Sequence, residues 1–180
     1  MAMVLNTFIT DGRLQALYEH WVNRRRGRPM PSRADIDPIE IPAAAWPHTM
    51  LLDVVREDGA LRFRYRRVGE VFWTGLGREA KGAMVDELLP ETGGYREYIV
   101  GIYRELVECR RPIYTENHLT LRGDNEPMLA KRVSLPLSKD GDAVDMILGG
   151  HVFLHARLDR GDAFRIVDGL KEGLRVILDD

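Results

Sequence analysis

The run Leu61-Arg62-Phe63-Arg64-Tyr65-Arg66 alternates an apolar residue with an arginine without a break. Successive side chains of a strand point to opposite sides, so an extended run of this kind has one apolar face and one cationic face. The chain must therefore hold a sheet with a core on at least one side. Just upstream, Met50 to Val55 is short and apolar, and Glu57-Asp58-Gly59 separates the two runs. Two strand-like runs around an Asp-Gly connection predict a β-hairpin. Leu61, Phe63 and Tyr65 point inward; the arginines form a solvated or helix-covered outer face, or else a binding face.

The rest of the chain supplies further elements in a definite order. Asp11 to Arg25 carries Leu14, Leu17, Tyr18 and Trp21 on one helical face, with Asp11 as N-cap and Gly27 and Pro29 as stop signals. Ser32 with Asp35 and Asp37 with Glu40 read as two capping pairs, the second with Pro38 at the first helical position. They predict short helical turns held on the core by Ile36, Ile39 and Ile41; capping explains the two aspartates better than a metal or acid/base site does. Gly69 to Leu89 is punctuated by glycine and predicts brief helices and turns. Gly93 to Arg110 predicts the longest helix, with Tyr95, Ile99, Ile102, Leu106 and Cys109 on one face and Pro112 beyond its end. Three strands follow, Ile113 to Leu121, Met128 to Leu137 and Val144 to His155. Turn signals at Arg122-Gly123-Asp124-Asn125 and Lys139-Asp140-Gly141-Asp142 separate them. In the tail, Phe164, Val167, Leu170, Leu174 and Ile177 suit a helix, which Gly169 and Gly173 weaken.

This order predicts an α+β fold: a five-stranded antiparallel sheet with helices inserted between strands two and three, plus an N-terminal helix. Residues 1–30 form the helical arm, 31–160 the main domain and 161–180 a C-terminal tail whose pattern is ambiguous and admits a helix. Several motifs then carry a resemblance. They are Arg26-Gly27-Arg28-Pro29-Met30-Pro31-Ser32-Arg33-Ala34-Asp35-Ile36-Asp37-Pro38, Leu51-Leu52-Asp53-Val54-Val55 and Phe63-Arg64-Tyr65-Arg66-Arg67-Val68-Gly69. Gly77-Arg78-Glu79-Ala80-Lys81-Gly82, Arg111-Pro112-Ile113-Tyr114 and Leu135-Pro136-Leu137-Ser138-Lys139-Asp140-Gly141 follow at matching intervals. In order and spacing, over roughly residues 10 to 155, the chain resembles the stand-alone PAS-like domains of bacteria, typical of alphaproteobacteria. The resemblance implies a PAS-like fold and a signalling class; it carries over no catalytic or ligand residue. Lys81 stands where that family often has threonine.

Composition narrows the function classes. The chain has 180 residues, long enough for one self-sufficient core, and a net charge of −2, so no bulk pull toward nucleic acid is expected. The cluster Arg24-Arg25-Arg26-Gly27-Arg28 reads as the solvated C-terminal end of a helix. A single cysteine, Cys109, forms no internal disulfide and fits a reducing compartment. No apolar run approaches the roughly 18 residues of a membrane span, and the start lacks a signal peptide's pattern. The expectation is a cytoplasmic protein without a membrane or nucleic-acid partner.

Tests for chemistry mostly exclude. Flavin photochemistry through a cysteine adduct needs a cysteine at residues 70 to 90, which hold none. A haem ligand on the long helix needs a histidine there, and residues 91 to 110 hold none. His118 and His151 remain outside candidates. On a strand, His151 and His155 stand roughly 13 Å apart, too far for one zinc ion. Gly75-Leu76-Gly77 with Gly82 lacks the spacing of a dinucleotide loop, and no nucleophile elbow surrounds Ser134 or Ser138. Neither an enzyme nor a cofactor protein is expected.

What remains is a set of residues expected to converge between the sheet and the long helix: Phe63, Tyr65, Phe72, Trp73, Ile99, Ile102, Tyr103, Val133 and Phe153. Aromatic walls with a few polar groups suit a small-molecule pocket, and equally a filled core. The leading reading is a sensory module that binds a small, mostly apolar ligand and relays to a separate output protein, since the length leaves no room for an output domain. The second is a ligand-free docking or dimerisation module, with Leu14, Leu17, Tyr18 and Trp21 packing on a second copy or, alternatively, on the chain's own sheet. The third is a small α+β pocket enzyme.

Overall fold

Strands β1 (Thr49–Glu57) and β2 (Ala60–Val68) form the hairpin that the alternation predicts, paired antiparallel from Met50 opposite Val68 to Glu57 opposite Ala60. A computed structural model describes residues 6–57, 59–71, 80–121, 127–154 and 167–178. Ahead of the hairpin lies helix α1 (Gly12–Arg25). After it come the short α2 (Val85–Leu88), the long α3 (Tyr95–Cys109), then β3 (Ile113–Leu121), β4 (Met128–Leu137), β5 (Met146–Leu154) and β6 (Val167–Ile177). The strands make one sheet in the order β2-β1-β5-β4-β3-β6, antiparallel at every pairing. The α+β class and the helices between β2 and β3 agree with the sequence reading; the described residues hold six strands where five are expected.

The extra strand corrects the helix that the tail's pattern admits. Leu170, Leu174 and Ile177 do have helical spacing, but two glycines in that stretch would cost a helix about 1 kcal/mol each. One of them has a specific place in the sheet. A Cβ on Gly173 would sit 2.8 Å from the carbonyl oxygen of Glu116, at the point where the β3–β6 register shifts between Thr115 and Asn117. The glycine thus admits a bulge, and β6 covers the edge of β3 that a five-stranded sheet leaves open.

Helix α1 starts where Asp11 caps it, the Arg13 amide donating to Asp11 Oδ1 at 2.9 Å, and ends in left-handed residues at Arg26 and Gly27. Its apolar face lies on the chain's own sheet. Leu14, Leu17, Tyr18 and Trp21 are all buried, and Trp21 Nε1 donates to the Pro136 carbonyl at 2.8 Å. A Cβ on Gly150 would lie 2.8 Å from the Cδ2 atoms of both Leu14 and Leu17, so that glycine lets α1 close on β5. Of the two expected placements, a second copy or the chain's own sheet, the four residues take the sheet within the single chain, against β4 and β5.

Both segments form single turns, but only Ser32 and Asp35 make a reciprocal capping box; Asp37 caps the second turn while Glu40 pairs with Arg24. The Ser32 hydroxyl donates to Asp35, and the Ile39 amide donates to Asp37 at 2.9 Å. Ile36 and Ile41 are buried, but Ile39 is 90% exposed, a correction to the expectation that all three pack inward. One turn of three residues turns only its flanks toward the sheet.

Candidate ligand-binding site

The two faces of the sheet differ, and the strand period sorts the residues between them. Val133 is the direct partner of Gly150 and would touch a Cβ placed there, so it belongs to the face under α1. Arg132, one residue earlier, points the other way, its Nη2 donating to the hydroxyl of Tyr95 on α3 at 2.9 Å. The face under α3 is called the inner face below.

Of the residues expected to line a pocket, Phe63, Tyr65, Ile99, Ile102 and Tyr103 are buried in one cluster, with Phe63 and Tyr103 in an edge-to-face contact at 5.3 Å. Phe153 is half-buried on the inner face, 6.0 Å from the Arg132 guanidinium. Val133 is buried as well but on the other face, since odd-numbered residues of β4 look toward α1. Phe72 and Trp73 lie outside the described residues.

The residues missed by that reading are polar. Arg132 is 2% exposed, and its hydrogen bonds go to two neutral oxygens, Asn117 Oδ1 and the Tyr95 hydroxyl. No carboxylate pairs with it among the described residues. Its cation also lies 5.6 Å from the centre of the Tyr95 ring. Taking a guanidinium out of water costs several kcal/mol. Two charge-assisted hydrogen bonds return roughly 1.5–3 kcal/mol each and a desolvated aromatic contact about 2, so neutral neighbours offset much of the burial without balancing the charge. They also use only two of the five N–H donors that a guanidinium presents.

Directly across the β3–β4 ladder from Arg132 stands Thr115, 1% exposed. Its hydroxyl has no hydrogen-bond partner among the described residues. On the other side Arg132 is paired with His151 of β5, also buried. Burial, then the nearby charge of Arg132, then His48, hold the His151 imidazole well below its ordinary pKa, so it is neutral at pH 7. Burial likewise pushes the Tyr65 and Tyr103 hydroxyls above their ordinary range; the neighbouring tyrosines add to this and Arg132 opposes it. Among the described residues the inner face thus buries one cation, Arg132, among several neutral polar groups; Arg175 of β6, opposite Thr115, is exposed and paired with Glu105 of α3. The sequence did carry a signal for this. Lys131 and Arg132 are adjacent on a strand, so one of them has to turn inward if both faces are covered.

A chain of contacts leaves this face through β5. His48 Nδ1 donates to the His151 carbonyl at 3.0 Å, and Arg13 Nη1 of α1 donates to His48 Nε2 at 3.2 Å. Asp11 in turn holds Arg13 at 2.7 Å. Elsewhere, a groove of about 190 Å³ opens between β2 and α3, lined by Phe63, Asp86, Arg96 and Arg104 among others. There the charges pair with one another: Arg62 with Asp86 and Glu87, and Arg96 with Glu91. Among the described residues no three metal-ligating side chains come together, and no helix is long and apolar enough to cross a membrane.

No curated protein matches the chain. A family model described as PAS domain matches residues 10–152, from the N-cap of α1 almost to the end of β5. That span holds the hairpin, the inserted helices and the three strands that follow them. The chain therefore belongs to the PAS domain family.

Proposed function

We propose that this chain is a sensory module that takes a small ligand with a largely apolar body against the inner sheet face, under α3, and relays occupancy to a separate protein without catalysing a reaction. Membership in the PAS domain family supports a sensory or signalling role in general. One observation carries the finer reading. The inner face buries Arg132 and the Thr115 hydroxyl with fewer partners, among the described residues, than such groups take in a core built only for stability. Beside them stand the aromatic surfaces of Tyr65, Tyr103 and Phe153, which suit an apolar body.

Native mass spectrometry of the purified protein, set against its denatured mass, tests this. The expected result is an adduct of defined mass that disappears on denaturation. A chain that stays bare, whether monomer or dimer, when purified quickly and at high concentration favours the ligand-free docking module instead.

A further inference from the structure

Arg132 and Lys131 are neighbours in sequence with opposite surroundings. Lys131 turns to the face under α1, where Glu116 lies 3.1 Å from its ammonium and Thr10 accepts from it at 2.6 Å. Arg132 turns to the inner face, where its acceptors are the amide oxygen of Asn117 and the phenol of Tyr95. The chain thus supplies a counter-charge to the cation that water could have stabilised, and none, among the described residues, to the one that water cannot reach. The nearest titratable groups do not provide it either. The Tyr65 and Tyr103 phenols stay protonated and His151 stays neutral, so among the described residues Arg132 is the single buried charge near these groups.

We propose that the ligand of this site is a small organic monocarboxylate, its carboxylate held by the Arg132 fork and the Thr115 hydroxyl and its apolar body lying against Tyr65, Tyr103 and Phe153. This rests on the sensory reading above and names the ligand's chemical class. The geometry favours it in three ways. A guanidinium matches a planar carboxylate through two parallel N–H donors, and the bonds of Arg132 to described residues use two of its five donors. Thr115 stands directly opposite Arg132 on the same face, at a cross-strand separation of about 5 Å, with its hydroxyl unbonded among the described residues. One buried positive charge is balanced by one negative charge, which favours a monoanion over a phosphate dianion.

The test uses the full chain and paired probes of equal size: phenylacetate with phenylacetamide, and hexanoate with hexanamide. Calorimetric titration and thermal shift are read for the wild type, Arg132→Gln, Arg132→Lys and Thr115→Val. An acid of either pair should bind about tenfold or more tightly than its own amide, the scale of one hydrogen bond to a charged group. Arg132→Gln should erase that preference, and Thr115→Val should weaken the acid about threefold or more. Arg132→Lys keeps the charge but loses the fork, and should recover only part of the preference. It also serves if Arg132→Gln fails to fold. If acid and amide bind alike and Arg132→Gln changes neither, the anion assignment is overturned while a ligand site remains. A co-purified adduct shown by mass spectrometry to be a neutral molecule has the same meaning. If no probe binds and the native mass is also bare, the sensory reading falls together with the anion assignment.

Discussion

At Arg132 the stability of the ligand-free protein and the binding of a ligand pull in opposite directions, because the charge that would hold an anion is a cost while the site is empty. Replacing Arg132 by methionine removes that cost and leaves Asn117 Oδ1 and the Tyr95 hydroxyl without their donor. These terms are each of order 1–3 kcal/mol and oppose one another, so Arg132→Met should change the unfolding free energy by no more than about 1 kcal/mol in a urea melt. A loss of about 3–5 kcal/mol would instead indicate a counter-charge inside the fold. His151 gives a second test at this scale. Its folded pKa lies well below that of the unfolded chain, so below about pH 6.5 the unfolded state binds a proton that the folded state refuses. Stability is therefore complete above that pH and falls as the pH drops toward 5, by up to about 1.4 kcal/mol per unit. Burial lowers His20 and His48 in the same direction, so His151→Gln should flatten the profile without abolishing it.

Among the elements, α1 is fixed by packing that a single substitution can reach. Trp21 is buried and bonded to β4, so Trp21→Ala should cost about 3–5 kcal/mol in thermal or urea unfolding. A change of oligomeric state with little loss of stability would show that the tryptophan faces a second copy rather than the sheet. At Gly150, alanine would push on Leu14 and Leu17 and should cost about 1–3 kcal/mol, measured the same way. The elements were largely legible in the sequence. β3 and β4 begin and end where Pro112 and the turn residues place them, and α3 runs within the stretch that its apolar face marked out. β6 was not legible. Its leucines fit a helix, and only the bulge opposite Glu116 explains Gly173. The site was hidden for a related reason. Tyr65 and Tyr103 are found by their apolar periodicity, whereas the inward turn of Arg132 depends on the phase of β4 and on α1 covering the other face. Nothing local to the Lys131-Arg132 pair settles either point.

For the whole molecule, the sheet has α1 on one face and α3 on the other, with the polar cluster between sheet and α3. A ligand there lies beside β5, whose backbone His48 links to Arg13 and hence to the cap of α1. Occupancy should therefore slow amide exchange in α1 as well as in α3 when phenylacetate binds, and His48→Ala should remove the effect on α1 alone. Slowing confined to α3 would remove α1 from the relay. The most direct test of the central claim is a crystal structure of the chain grown with saturating phenylacetate. The expected result is a carboxylate about 3 Å from the Arg132 guanidinium, on the side facing α3. A guanidinium enclosed by Asn117, Tyr95 and other protein atoms, with the acid bound elsewhere or not at all, would contradict it.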